Sequence, residues 1–296
     1  MITLEQLQDG IVLPIDKPRQ WTSFQAVNKI KAVVRNTYGQ RATNGSKADP
    51  NVGLKKIKIG HAGTLDPLAT GLLLVCLGKA TKRIPLLQDG DKVYTCTLVF
   101  GATTPCFDLE QAVDQYYPYE HITRQLIEET LTHFTGTVMQ VPPMFSAVKI
   151  DGQRAYEIAR INNEELRIKN DGSRDLQPPA SDLIKPKPVN IYSIELTDFR
   201  PGSTSTTSQA SPAVATSLSN PTRNLYKEPQ GEVPSHLPQA DLRIHCSKGT
   251  YIRSLARDLG QALGSGAFLS ALRREQIGDY SVDQALQLDQ VASFFA

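Results

Sequence analysis

Lys58-Ile59-Gly60-His61-Ala62-Gly63-Thr64-Leu65-Asp66-Pro67-Leu68-Ala69-Thr70-Gly71-Leu72-Leu73 is the densest local pattern in this chain of 296 residues. Gly60 and Gly63 permit positive φ or close backbone approach, and Pro67 keeps Asp66 out of the helical region. The carboxylate therefore sits on a fixed, extended corner, and the apolar residues from Leu68 onward predict a helix directly behind it. A carboxylate on such a corner can be aimed at a reacting atom; taken alone, an Asp-Pro pair more often only caps a helix. Downstream, Gly78-Lys79-Ala80 looks like the end of a phosphate loop. Leu73 stands where its first Gly belongs and Ala80 lacks the metal-binding hydroxyl, so nucleotide hydrolysis has no support.

On the amino-terminal side, Ile11-Val12-Leu13-Pro14-Ile15 predicts a strand, and Asp16-Lys17-Pro18 joins it to a helix capped by Thr22 or Ser23. Phe24, Val27, Ile30 and Val34 follow helical spacing and are expected to face inward. Residues 36–56 lack Leu, Ile and Phe until Leu54, which predicts a basic loop insertion. Val93 to Phe100 reads as a strand, and Ile122 to Phe134 as an amphipathic helix with Leu126, Ile127, Leu131 and Phe134 inward. Leu242, Ile244 and Cys246 share one face of a half-buried strand. Thr250 is placed to cap the next helix, with Ile252, Leu255, Leu259 and Leu263 on its core side. Residues 160–188 form a polar insertion. Residues 201–238 form a Ser/Thr/Pro-rich one, expected to be disordered because 11 of the 22 residues from Pro201 to Thr222 are Ser or Thr. Helices and strands intermingle without a βαβ beat, which predicts a single α+β domain.

Composition bounds the function classes. The hydrophobic set makes up 40% of the chain, and 32 basic side chains oppose 30 acidic ones, for a formal net charge of +2. No apolar run is long enough to span a membrane, and the amino terminus has no secretory pattern, so a cytoplasmic location is expected. Cys76, Cys96, Cys106 and Cys246 show neither CxxC spacing nor a His at ligand spacing. They read as buried apolar residues, with no disulfide and no metal site. The total charge hides its distribution. Between Asp16 and Lys58 there are ten Lys or Arg against two Asp, and between Arg243 and Arg274 six against Asp258 alone. Brought together, these segments would form a positive groove suited to a phosphate backbone; kept apart, they would be two solvated faces.

Asp16-Lys17-Pro18 with Thr22-Ser23, the Gly60 to Leu73 block, Pro142-Pro143-Met144-Phe145-Ser146-Ala147-Val148-Lys149 and Ser247-Lys248-Gly249-Thr250-Tyr251-Ile252-Arg253 together closely resemble the TruB family of tRNA pseudouridine synthases. The match runs in order from about Gly10 to Tyr280. The resemblance implies the pseudouridine synthase fold: a mixed, mostly antiparallel central sheet flanked by helices and loops, with the active-site cleft across the sheet. It further implies isomerisation of uridine 55 in the T-loop of tRNA, with the N1 glycosidic bond broken and the ribose rejoined through C5 of the same base. An isomerisation needs no cofactor, and the tRNA T-arm is the implied partner of a monomer.

By the same resemblance Asp66 is the catalytic carboxylate. It attacks the sugar C1′ or the base, or removes the 2′ proton; each route needs it ionised, a form that a neighbouring cation favours. Arg253 corresponds to the Arg that pairs with it. Tyr94 corresponds to the Tyr that stacks on the target base and serves as acid-base partner at C5. Tyr251 is a second aromatic lining the pocket, His61 helps displace the target nucleotide, Lys17 supports the loop carrying Asp66, and Leu272 closes the pocket. A base inside a folded loop must be flipped out, at a cost recovered through stacking and phosphate contacts.

Three departures stand out. Gln20 replaces a Gly usual in the first motif, Phe145 stands where a Tyr is common, and residues 281–296 leave space for a short C-terminal helix and not for a full carboxy-terminal RNA-binding domain. The rival reading is a non-catalytic tRNA-binding or RNA-folding protein on the same scaffold, which would not need a carboxylate facing RNA. A glycosidase would need a second carboxylate across the scissile bond, and besides Asp66 the motifs contain only Asp16, in the joint after the first strand.

Overall fold

Alternation at Leu13, Ile15 and Lys17 buries one face of the first strand, and a continuous apolar run from Gly71 to Leu77 is buried on both faces. The computed structural model describes residues 2–41, 57–146, 148–150, 152–155, 184–203 and 231–296. The helices are α1 (Leu4–Asp9), α2 (Ser23–Arg41), α3 (Ile84–Asp89), α4 (Arg124–Leu131), α5 (Ile252–Ala262) and α6 (Val291–Phe295). The strands are β1 (Ile11–Lys17), β2 (Ile59–Ala62), β3 (Thr70–Leu77), β4 (Lys92–Phe100), β5 (Ala102–Thr103), β6 (Gln115–Tyr116) and β7 (Gly136–Gln140), followed by β8 (Lys149–Ile150), β9 (Gln153–Arg154), β10 (Lys187–Arg200), β11 (Gln239–Cys246), β12 (Ala267–Ile277), β13 (Tyr280–Ser281) and β14 (Leu286–Gln287). Among the described residues, no helix is long and apolar enough to cross a membrane.

Ten strands form one mixed sheet in the order β14-β1-β3-β12-β4-β11-β10-β7, with β2 added to β3 and β13 to β12. Most pairs are antiparallel; β1 with β14 and β3 with β12 are parallel. This is the mixed α+β sheet the sequence predicts. On the β4-β11-β12 portion, α5 buries Ile252, Leu255 and Leu259 against Cys96, Leu98, Leu242, Ile244 and Cys246. On the β1-β3 portion, α2 and α6 bury Val27, Ile30, Val34, Val291 and Phe295 against Leu13, Ile15, Leu73 and Val75. All four cysteines are buried and free.

Several local expectations are corrected. The run after Leu68 is not a helix: Thr70–Leu77 is strand β3, buried on both faces, and a segment that is apolar on every side carries no period to separate helix from strand. Phe24 is 67% exposed; it lies on the flank of α2, away from Val27 and Ile30. Thr22 caps α2 in a reciprocal box, its Oγ1 accepting from Gln25 N while Gln25 Oε1 accepts from Thr22 N. Helix α2 continues to Arg41, held late by buried Tyr38, whose hydroxyl donates to Ile2 O and whose ring meets Phe295 edge-on. Thr250 does not cap α5: its hydroxyl donates to Ser247 O within the preceding turn, and Tyr251 occupies the capping position.

Residues 42–56, 156–183 and 204–230 of the expected insertions lie outside the described residues. Of their flanks, Lys187 and Pro188 begin β10, Leu237 is buried against Val99 and Phe268, and residues 281–296 hold a short 3-10 turn, β14 and α6.

Candidate active site

A break in the sheet positions the Asp66 loop. Strand β12 pairs with β3 only at Arg273–Thr70 and Arg274–Gly71. Farther along the same side of β12, Leu269 N bonds Phe107 O and Asp108 bridges Leu269. The chain before Thr70 leaves the sheet at that break, and residues 63–69 form the loop that carries Asp66.

Three groups of contacts pin this loop. Arg274, 2% exposed, donates from Nε to Leu72 O (2.8 Å) and from Nη2 to Gly63 O (3.0 Å). Ser23, in the first turn of α2, accepts from Leu65 N (2.9 Å) and donates to Leu65 O (3.2 Å). Lys17, 0% exposed, reaches the carbonyls of Trp21 (2.6 Å), Pro18 (3.1 Å) and Pro67 (3.3 Å). Burial draws its ammonium down to about 8. Gln20 N also donates to Pro67 O at 2.8 Å. To do so Gln20 adopts φ 66°. The left-handed geometry expected of the replaced Gly is thus kept by a residue with a Cβ, at a cost of about 1 kcal/mol.

Arg253 is 4% exposed on α5, and its Nε lies 2.9 Å from Oδ2 of Asp66 and 3.7 Å from Oδ2 of Asp108. The angle to Asp66 makes the contact an ion pair without a hydrogen bond. Nη1 and Nη2 donate to Cys106 O (3.3 Å) and Phe145 O (2.8 Å), which fixes the guanidinium plane. Despite burial, the two carboxylates keep Arg253 charged, its proton held more tightly than usual. Asp108 is 6% exposed and accepts from Glu110 N. Burial pushes its carboxyl up, and Arg253 opposes that shift. Phe107, just before it, also has positive φ (59°), and its ring lies 5.4 Å from the Arg257 guanidinium.

The predicted residues gather around this pair. Tyr94 is buried on β4 opposite Arg274; burial raises its hydroxyl, and the Asp66 charge acts in the same direction. Tyr251 is half-buried at the start of α5 and feels both Asp66 and Arg253. Buried Gln140 fixes its backbone, accepting from Tyr251 N (2.8 Å) and donating to Tyr251 O (3.1 Å). His61 is the penultimate residue of β2, two before Gly63; burial lowers its pKa, and its buried Nδ1 has no hydrogen-bond partner among the described residues. Leu272 and Leu68 line an open cavity of about 410 Å³ with Arg19, Thr70 and Arg273. Asp66, Tyr94 and Arg253 are not among its lining residues, so the cavity adjoins the carboxylate and does not contain it.

Sequence reasoning missed Asp108, Gln140 and the buried role of Arg274, none of which carries a local signal. It also overestimated the second basic segment. Arg243 pairs with Glu275, Lys248 with Asp89, Arg253 with Asp66, Arg257 with Asp258 and Arg273 with Asp16, while Arg274 is sunk among carbonyls. Every cation of the second segment is thus engaged within the protein, while residues 42–56 of the first lie outside the described residues.

The fold is that of the pseudouridine synthases. The chain aligns over 99% of its length with the crystal structure of a Cbf5-Nop10-Gar1 complex, covering 57% of that chain at a TM-score of 0.57 and 23% identity. More specifically, this chain belongs to the TruB family of pseudouridylate synthases, whose N-terminal domain model matches residues 51–173 and whose C-terminal domain model matches residues 253–296. It is 42% identical to the tRNA pseudouridine synthase B of Phocaeicola vulgatus, over 95% of this chain and 92% of that protein. It is also 42% identical to that of Flavobacterium johnsoniae, over 97% and 96% respectively.

Proposed function

We propose that this enzyme isomerises uridine 55 in the T-loop of tRNA to pseudouridine. The observation that carries the reading is Asp66 on a pinned loop with its carboxylate against the buried Arg253, in a chain whose relatives, similar over nearly their whole length, bear the name tRNA pseudouridine synthase B. The flipped nucleotide reaches Asp66 from the side on which its carboxylate is open to solvent. Asp66 acts as an ionised carboxylate on the nucleotide; Arg253, fixed by two carbonyls and Asp108, holds it in place. The N1–C1′ bond breaks and a C5–C1′ bond forms. The C5 proton leaves and N1 gains one, so the product is an isomer and atoms balance. Tyr94 stacks on the base and serves the proton at C5, and Tyr251 and Leu272 close around it. His61, whose burial favours the neutral ring, displaces the nucleotide, and Lys17 braces the loop through Pro67 O.

Incubation of an unmodified tRNA transcript with wild type and with Asp66→Asn, followed by chemical labelling and primer extension, tests the reading. Wild type is expected to give a single T-loop stop, and Asp66→Asn none while still binding RNA. Product at another position, or undiminished product from the variant, overturns it.

A further inference from the structure

The stretch from Pro18 to Arg41 contains five cations and no Asp or Glu. Arg19, Lys29, Lys31 and Arg35 are exposed, and among the described residues none of them pairs with a carboxylate. This is the reverse of the 243–274 segment, whose six cations are all engaged within the protein. Helical geometry sorts the exposed residues of α2. At 100° per residue, Phe24, Asn28, Lys31 and Arg35 fall within about 60° of one another along one flank, and Lys29 lies about 100° or more from each of them on the other. The flank begins with an aromatic ring 67% exposed in the first turn. That same turn is tied to the catalytic loop through Ser23 and Leu65. Arg19, just before it, lines the cavity beside Leu272.

We infer that the Arg19–Phe24–Lys31–Arg35 flank of α2 is a second RNA-contacting surface, a track that leads the substrate backbone away from the catalytic loop. This inference rests on the reading of the protein as a tRNA-modifying enzyme and adds the place where the polyanion is held. From Phe24 to Arg35 the helix rises roughly 16 Å, enough to follow two or three phosphates. The cations meet phosphates, and Phe24 offers a stacking face to an unstacked base near the loop. Unpaired cations suit this task because they need not first break an internal ion pair.

Binding of an unmodified tRNA transcript to the full chain, measured across a salt series, provides the test, together with single-turnover product formation at saturating RNA. Lys31→Gln/Arg35→Gln is expected to weaken binding roughly tenfold or more and to reduce the slope of log K against log salt by about 1.5, with the saturating rate unchanged. Phe24→Ala should weaken binding by a similar factor without changing the slope, and Lys29→Gln should do neither. An unchanged slope in the double variant assigns this face to another partner or to none and overturns the inference. An equal slope loss in Lys29→Gln also overturns it, because a diffuse positive field would then explain the binding. Active wild type with unaltered variants condemns the track alone, whereas inactive wild type condemns the enzymatic reading.

Discussion

Arg253 stands between two carboxylates of different standing: Asp66, 36% exposed at its side chain, and Asp108, 8% exposed. Only Asp66 can meet a substrate, so Asp108 works through Arg253 as a positioning residue. Asp108→Asn is expected to lower kcat ten- to a hundredfold with the tRNA dissociation constant within about twofold, since displacing a guanidinium by an ångström costs that much in rate. Equal losses in binding and kcat would count against the assignment. Lys17 gives a prediction in pH. Its folded value near 8 lies below the ordinary 10.5, so the unfolded chain binds more protons between those limits and stability rises with pH across that window. Relative to Lys17→Met, wild type should gain up to about 3 kcal/mol between pH 8 and 10.5 in denaturant unfolding. Lys92, shifted in the same way, cancels in the comparison; a flat difference would refute the burial account. Asp66 and Arg253 were legible only through the motifs that contain them. Asp108 was not, because Cys106-Phe107-Asp108 has no pattern and burial of a carboxylate depends on what the rest of the fold packs over it.

Among the elements, α5 was the easiest to read and β3 the hardest. Helix α5 turns Ile252, Leu255 and Leu259 into the apolar core and puts Arg253, Arg257 and Asp258 on its other sides, where ion pairs hold them, so its period survives in the sequence. β3 is covered on both faces, with Leu73, Val75 and Leu77 in one apolar cluster and Leu72, Leu74 and Cys76 in another, which erases the alternation by which strands are recognised. Its first turn is built by Gly71, at φ 99°, where a Cβ would lie 2.2 Å from Arg274 O. Gly71→Ala must therefore push β3 from β12 at their short pairing and loosen the Arg274 clamp on the loop. It is expected to cost more than about 2 kcal/mol in chemical denaturation and to reduce product formation with it. A cost below about 0.5 kcal/mol would show that the pairing yields freely. Phe24 was misplaced for a related reason: helical spacing includes flank positions as well as the centre of the buried face, and only packing separates them.

For the molecule as a whole, a formal charge of +2 is compatible with a polyanionic substrate because the charges are not used alike. Arg253 and Arg274, late in the chain, hold the candidate site together, and among the described residues Lys29, Lys31 and Arg35 of α2 pair with no carboxylate. The order of the strands has a separate consequence for how the enzyme comes into being. β12 lies between β3 and β4, joining the strands that precede residue 78 to those that follow residue 91. On a growing polypeptide the two part-sheets must wait, each with an open edge, until residues 267–277 emerge from the ribosome. Asp66 comes from one part and Tyr94 from the other, so on the proposed function the growing chain cannot assemble the site before β12 joins them.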